Sequence, residues 1–300
     1  MLPAFTRVAH MSPDRPRVPP LALVGAAVVS VQFGGALAAT LVPRIGAAGS
    51  VTLRLLFAAA ILALVARPSL RGHSRRAWLT VVGFGGALAL MNLAFYASLA
   101  HLPIGVAVTV EFLGPLTLAT VLSRRVRDLG AVVAAAFGVV LISRALEDPL
   151  SDLRWTGLGL AALAGACWAA YIIASGRTGR LFPRLDGLAL AMGVALVLVL
   201  PLGVPTAGQW TGTDVAKGLG IAVLSSVLPY SFELAALRHL SANVFGILLS
   251  LEPAVAALAG LLVLHQRLTA TQLGGMAMVV LASALVMGAG QQRDPAASGG

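Results

Sequence analysis

The stretch "AHLPIGVAVTVEFLGPLTLATVL", residues 100–122, is apolar along most of its length, yet it carries Glu111, Gly114 and Pro115 near its centre. From Val106 to Leu122 it contains no other ionisable residue. Proline removes a backbone hydrogen bond from a helix, and a carboxylate is costly in any apolar surrounding. The meaning of these three residues therefore depends on the solvent that surrounds the stretch.

The composition of the whole chain identifies that solvent. Of 300 residues, 58% are hydrophobic and only 11% are charged, and the mean hydropathy is +0.92. A soluble domain carries about 25% charged residues, so this chain has too few charges to cover a water-facing surface. The apolar runs are continuous and lack the two-residue alternation of a barrel strand. The sequence predicts an all-α membrane protein.

Ten apolar segments are predicted to be transmembrane helices. Most of them reach the ~20 residues that cross about 30 Å of hydrocarbon. The predicted spans are Leu21–Val42, Ala48–Ala66, Ala77–Ala100, Ile104–Leu122, Leu129–Ser143, Thr156–Ser175, Gly187–Val204, Val215–Leu237, Ala242–Leu264 and Leu268–Gly288.

The basic residues indicate how these spans are oriented. If every span crosses once, fifteen of the 21 lysines and arginines fall on the side of the two termini, five fall on the other side, and Arg54 lies inside a span. This bias predicts that both termini are cytoplasmic. The net charge of +10 then reflects topology, and no nucleic-acid partner is expected, because the basic residues lie in short separate loops. Residues 1–20 are predicted to be a flexible cytoplasmic leader, and residues 289–300 a disordered tail.

The chain also repeats a short pattern. "AHLPIGVAVTVEFLGP" ends at Pro115 and "RHLSANVFGILLSLEP" ends at Pro253, and in each the proline follows the histidine by fourteen residues. We predict two five-helix repeats, residues 21–146 and 156–288. Because five is odd, the second repeat enters the membrane inverted, an arrangement that is typical of secondary transporters with a site near the midplane.

Four charged residues lie inside the predicted spans: Arg54, Glu111, Glu233 and Glu252. Such residues are expensive in hydrocarbon and usually face a bundle interior or a wet cavity. Glu111 precedes the helix break at Gly114–Pro115, and Glu252 directly precedes Pro253. Each of the two glutamates can bind a proton or an ammonium group. Alternatively, it is a structural residue whose protonated carboxyl donates a hydrogen bond to a freed backbone carbonyl.

Two of the charged residues have alternative interpretations of their own. Glu233 follows the polar run "LSSVLPYS", which contains Pro229, and is either a cavity residue or an interfacial acid that pairs with Arg238. Arg54 either forms an intramembrane ion pair with one of the glutamates, which we favour, or receives a substrate carboxylate. The other polar or amphipathic candidates for a cavity lining are Gln32, Asn92, Tyr96, Trp168, Tyr171, Tyr230 and Asn243.

Three further features limit the chemistry that we expect. Cys167 is the only cysteine, so no internal disulfide is possible, and the five histidines are dispersed without metal-ligand spacing. We expect no metal, no cofactor and no enzymatic activity, because no nucleophile–base pair or interfacial cluster of acids and histidines is visible. The runs "GFGGALAL", "GLGLAALAGA" and "LGGMAM" are predicted to let helices approach closely.

Several motifs resemble one known family. The stretches "VEFLGPL", "MNLAFYASL", "GACWAAYI" and "LPYSFELAALRHL" are similar to those of bacterial threonine and homoserine exporters, in the EamA-type branch of the drug/metabolite transporter superfamily. The resemblance runs from about Val29 to Leu281. Where many relatives carry a Gly-Glu-x-Leu-Thr pattern before the last span, this chain has His265-Gln266-Arg267-Leu268-Thr269, which we interpret as a loop difference.

The resemblance implies a ten-helix fold and export of small neutral amino acids across the bacterial inner membrane. From the buried carboxylates we add the expectation of proton antiport by alternating access, with the lipid bilayer, a small amino acid and protons as partners. A related exporter of another metabolite or drug has the same architecture and stays an alternative; a membrane-embedded enzyme is the least favoured reading.

Overall fold

The computed structural model describes residues 19–123, 126–142, 154–183, 185–237 and 248–288, and within these ranges it contains helices and no strand. The predicted tail, all but the end of the predicted leader, and Asn243 lie outside the described residues. The helices are α1 Pro20–Ala66, α2 Arg75–Ser98, α3 Ile104–Glu111, α4 Leu113–Ser123, α5 Val126–Ile142, α6 Trp155–Leu181, α7 Asp186–Gly203, α8 Gly212–Ala222, α9 Leu228–Leu237, α10 Glu252–Leu264 and α11 Ala270–Gly288.

Helix α1 contains the first two predicted spans. A straight helix of its 47 residues would measure about 70 Å, more than twice the hydrocarbon thickness. Gly46 interrupts it with φ 75° and ψ 169°, a left-handed φ that glycine adopts at little cost. Thr40 before the break and Leu53 after it both contact α8, at Lys217 and Gly218. The two arms of α1, residues 20–45 and 47–66, therefore run side by side along α8.

Helix length and hydropathy agree with a membrane protein. Among the described residues, five helical segments are long and apolar enough to cross a membrane: Pro20–Ala66, Arg75–Ser98, Trp155–Leu181, Asp186–Gln209 and Gly212–Glu233. Three shorter apolar segments, Ile104–Leu118, Glu252–Leu264 and Ala270–Leu285, accompany them. The all-helical membrane class is thus confirmed, while the ten-span count, the inverted repeat and the orientation of the termini stay predictions.

Glycines let the helices approach each other, as the small-residue runs predicted. A Cβ added to Gly85 of α2 would overlap Val194 of α7, and one added to Gly138 of α5 would fall 2.7 Å from the carbonyl oxygen of Gly275 in α11. Close backbone contact of this kind is a usual source of helix–helix packing in lipid.

The two ends of the helix bundle differ in chemistry. At the arginine-rich end, which we define as residues 67–76 and 177–187, the His73 ring lies 4.5 Å from the ring of Phe182. At the Asp214 end, residues 43–49 and 204–214, Arg44 donates from Nε and Nη2 to the two carboxylate oxygens of Asp214, both at 2.8 Å. The Asp214 oxygens also accept from the backbone and hydroxyl of Thr211. The hydrogen bond from Arg44, with those from Thr211, holds the pKa of Asp214 well below its usual range.

The departure from the relatives' pattern lies in the loop after α10. Gln266, at the position of the relatives' glutamate, accepts a hydrogen bond through Oε1 from the backbone N–H of Ile104 at 3.1 Å. Ile104 is the first residue of α3, so this amide caps one of the unpaired N–H groups at the start of that helix. The residue before it, His265, has a left-handed φ of 56°, where glycine is normally preferred. The loop that follows α10 is therefore held against the start of α3 by this hydrogen bond.

A polar cluster around Arg54 as the candidate functional site

The site begins with an irregular turn between α8 and α9. Residues Val223–Val227 form a π-helical turn, in which the N–H of Leu228 bonds to the carbonyl of Val223. Pro229 has no N–H to offer to the carbonyl of Ser225, four residues earlier. That freed carbonyl accepts a hydrogen bond from Nη2 of Arg54 at 3.1 Å. The predicted break at Pro229 thus creates the acceptor that holds Arg54.

The other donors of Arg54 are also bound by neutral atoms. Nη1 donates to Oδ1 of Asn92 at 2.5 Å and to the hydroxyl of Tyr96 at 3.4 Å, and Nε donates to Oγ of Ser226 at 3.4 Å. Arg54 is 9% exposed and Tyr96 is fully buried. Three predicted site residues, Arg54, Asn92 and Tyr96, are therefore brought together.

The ion pair that we favoured for Arg54 is not formed, and that prediction was wrong. Within the described part of the chain the only salt bridge is the one between Arg44 and Asp214. Glu111 acts on Arg54 electrostatically, but at longer range than a hydrogen bond. The physical reason is that an amide, a phenol, a serine hydroxyl and a backbone carbonyl bind four of the five guanidinium N–H donors and hold Arg54 in place without a glutamate. The fifth donor and the two long contacts at 3.4 Å leave the guanidinium able to bind a ligand. Among the described residues, the cluster holds a buried cation without a carboxylate in direct contact.

Glu111 lies at the predicted helix break. Helix α3 ends at Glu111 and α4 begins at Leu113. Pro115 cannot donate to the carbonyl of Glu111, and Gly165 of α6 packs directly on that carbonyl, where a Cβ would overlap it. Gly114 in turn packs against the carbonyl of Gly165. The break is held by backbone-to-backbone contact between α3–α4 and α6, and it leaves Glu111 8% exposed.

Glu252 occupies the corresponding place on α10. It is the first residue of that helix, is followed by Pro253, and is 7% exposed. Oε2 of Glu252 accepts a hydrogen bond from Nε2 of Gln32 at 3.2 Å.

Helices α3 and α10 bring the two acids to the same level. They pack along their lengths through a cluster that includes Val108 and Ala256. Glu111 lies about one turn beyond Val108, and Glu252 about one turn before Ala256. The two carboxylates also interact electrostatically. The two proline-bearing segments thus bring their acids to one level, and Glu111 is the one that acts on Arg54.

Three further predicted residues, Tyr171, Tyr230 and Glu233, line a cavity that extends towards the arginine-rich end. Its volume is about 200 Å³, and it is lined by Phe84, Tyr171, Ser175, Thr178, Gly179, Phe182, Leu185, Gly187, Leu188, Tyr230 and Glu233. Trp168 is not among these lining residues and instead packs on Phe112, with ring centroids 5.6 Å apart. The hydroxyls of Tyr171 and Tyr230 interact with each other, and both rings lie close enough to Arg54 to feel its charge. The alternative partner of Glu233, Arg238, lies outside the described residues.

Two serines of the site were not selected from the sequence. Ser225 and Ser226 both contact Arg54, and Ser225 Oγ is buried without a hydrogen-bond partner among the described residues. The signal was present, because the two serines stand in the polar run before Pro229. What the sequence lacked was any indication that this run faces Arg54, which is more than 170 positions away.

Comparison with known proteins identifies the family. Residues 155–288 match the EamA-like transporter family. The chain is 36% identical over 266 residues to the threonine/homoserine exporter RhtA of Escherichia coli (strain K12), and 37% identical over 268 residues to RhtA of Salmonella typhimurium (strain LT2). Each alignment covers 88% of this chain and 90% of the relative.

A solved structure supports the fold. A crystal structure of a protein aligns with a TM-score of 0.59 at 19% identity, covering 88% of this chain and 95% of the other. Family and fold together make the chain a multi-pass transporter of the bacterial inner membrane and not an enzyme. The chain belongs to the EamA-like transporters of the drug/metabolite transporter superfamily, in the group that contains the RhtA exporters.

Proposed function

We propose that the chain exports small neutral amino acids, with threonine and homoserine as the first candidates. The RhtA relatives are threonine/homoserine exporters, which supports this substrate class. The observation that carries the proposal is the buried guanidinium of Arg54, which has only neutral partners in the described part of the chain.

The carboxylate of an amino acid supplies the negative charge that the neutral partners of Arg54 lack. A carboxylate is the natural ligand of a guanidinium, since the two groups match in charge and in planar geometry. Removing the partner of a buried charge is strongly unfavourable, so a site with an unpaired cation gains most from an anionic ligand. Arg54 would then bind the carboxylate, with Asn92 and Tyr96 holding the guanidinium in place.

Glu111 is our candidate for the coupling group. It would hold a proton and the substrate ammonium group in turn, so that an outgoing amino acid is exchanged for an incoming proton. A membrane potential provides about 2.3 kcal/mol per charge per 100 mV, which is enough to drive uphill export. Glu252 lies at the same level beside Gln32 and is the second candidate for this role.

The exchange requires that the site opens alternately to the two sides of the membrane. We place it in a topology of ten spans in two five-helix repeats, with the arginine-rich end of the bundle facing the cytoplasm. The charge bias supports this orientation. Cysteines at the exposed positions Leu70 and Thr213, in a Cys167→Ser background, test it. An impermeant thiol reagent applied to intact cells should label Thr213→Cys and should reach Leu70→Cys only after permeabilisation. The reverse pattern contradicts both the orientation and the inverted repeat.

The substrate proposal is tested by measuring which labelled amino acids are exported from cells. Cells that lack their own threonine exporters are loaded with a mixture of labelled amino acids, and efflux is compared with and without this protein. Threonine and homoserine should leave faster, while basic and acidic amino acids should not. If none of them leaves faster but another metabolite or drug does, the architecture is retained and the amino-acid assignment is wrong.

A further inference from the structure

The cavity beside Tyr171 has a composition that the Arg54 cluster does not explain. Among the described residues that line it, Glu233 is the only carboxylate, and none is a lysine or an arginine. Four hydroxyl groups, those of Tyr171, Ser175, Thr178 and Tyr230, share its wall with that acid. An acid among hydroxyl groups can bind a cation that also forms hydrogen bonds.

The walls of the cavity also restrict the size and shape of an occupant. Phe84 and Phe182 provide aromatic surface, and the Phe84 ring lies 5.1 Å from the ring of Tyr171. A primary ammonium group fits this setting, because a carboxylate and hydroxyl oxygens accept its three donors. A volume of about 200 Å³ suits a small molecule of amino-acid size and not a large drug.

The inner end of the cavity leads towards Arg54. Tyr230, which lines the cavity, lies four residues after Ser226, whose Oγ accepts from Nε of Arg54, and its hydroxyl interacts there with that of Tyr171. At the outer end, Phe182 stacks near His73 of the arginine-rich loop. The cavity and the cluster are thus consecutive along one route, with the tyrosine pair between them.

We propose that this cavity is a separate capture site for the primary ammonium group of the substrate, with Glu233 as its counter-ion. The inference rests on the proposed export function and adds a second site to it. The substrate amine binds first at Glu233, the tyrosine pair then separates, and the carboxylate moves on to Arg54. Glu233 is by this argument a group that selects for a free amine, distinct in role from Glu111.

The test uses a probe that keeps the amine but lacks the carboxylate. Threoninol, the amino alcohol of threonine, should bind to the full chain in lipid nanodiscs, whereas 3-hydroxybutyrate, which lacks the amine, should not compete with it. Glu233→Gln should weaken threoninol binding about tenfold or more, because it removes a charge-assisted hydrogen bond. Asp186→Asn is the matched control, since it removes a carboxylate from the start of α7 outside the cavity lining.

A second variant keeps the test valid if Glu233→Gln does not fold. Gly179 of α6 lines the cavity and has nothing within 4 Å of an added Cβ, so Gly179→Phe should fit the fold and obstruct the cavity. Gly176 on the same helix also has open space at its Cβ but does not line the cavity, so Gly176→Phe is its control. Loss of threoninol binding in Gly179→Phe with retention in Gly176→Phe supports the capture site.

The outcomes separate this inference from the export proposal. If the wild-type protein exports threonine but does not bind threoninol, or binds it equally well in Glu233→Gln and Gly179→Phe, the capture site is refuted and export stands. If threoninol binds as described but threonine is not exported, the export proposal fails and the cavity is an amine site of another transporter.

Discussion

Arg44 and Arg54 lie on the two arms of one helix, and their surroundings are opposite. The Arg44 side chain is 51% exposed and forms a bidentate salt bridge with Asp214. Arg54 is 9% exposed and, among the described residues, is bound by an amide, two hydroxyls and a backbone carbonyl. The exposed arginine has a counter-ion, and the buried one has neutral partners only.

Stability alone would favour the reverse arrangement. Water already solvates Arg44, so an exposed ion pair adds little, whereas an unpaired charge in the interior is expensive. A buried cation that is fixed by neutral groups but left without an anion is therefore arranged for something other than folding. The comparison favours a ligand-binding role for Arg54 and a structural role for Arg44.

The largest effect that we expect comes from replacing the two arginines in parallel. Arg54→Gln should lower threonine export at least about 100-fold, since two charge-assisted hydrogen bonds to a carboxylate, each contributing about 1.5–3 kcal/mol, are lost. Arg44→Gln should leave export per molecule nearly unchanged. Efflux of labelled threonine, normalised to the amount of protein in the membrane, measures both. Equal losses in the two variants would mean that Arg54 is structural too.

The next effect concerns the carboxylate that acts on Arg54 without touching it. Glu111→Gln keeps the helix break and the size of the side chain but removes the titratable group. Export against a gradient should fail, and the pH dependence of transport should flatten across neutrality. Pro115→Ala, the companion variant, restores a backbone hydrogen bond and should slow export while keeping its pH dependence.

This second prediction is read from initial rates in proteoliposomes over a range of pH. An unchanged pH profile with near-normal uphill export in Glu111→Gln would show that Glu111 is structural. Glu252, which lies at the same level on α10, would then become the candidate coupling group.

The smallest effect that we expect concerns the Arg44–Asp214 ion pair and its contribution to thermal stability. Because the hydrogen bond from Arg44 lowers the pKa of Asp214 in the folded protein, the ionised form contributes stability that is fully present above the unfolded value of about 4. That contribution is lost as the pH falls below this value. Asp214→Asn should therefore unfold at a lower temperature than the wild type at pH 7, and the gap should narrow in acid.

Thermal unfolding in detergent at several pH values and salt concentrations measures this third effect. High salt should also narrow the gap, since Arg44 is half exposed and its attraction to Asp214 is screened. A gap that persists unchanged in acid would assign the stabilisation to the Thr211 capping box rather than to the ionised pair.

Much of the site could be predicted from the sequence, but its internal contacts could not. Glu111 and Pro115 were recognisable because a charge and a helix breaker stand out in an apolar run. The wrong expectation of an ion pair for Arg54 had a simple cause: opposite charges attract in principle, but the sequence did not tell which helix faces meet. Ser226 was recognised as part of a polar run but not selected as a site residue for the same reason, since its contact with Arg54 joins residues 172 positions apart.

The sequence by itself determined the solvent, the helical class and the family, because hydropathy and short motifs are local properties that survive without coordinates. Only the tertiary structure decided that Arg54 meets Asn92 and a carbonyl freed by Pro229, and that Gly165 lies on the break at Glu111. The physical reason is that all the helices are similarly apolar. Which of their faces meet is decided by close packing at glycines and by a few buried hydrogen bonds between distant residues.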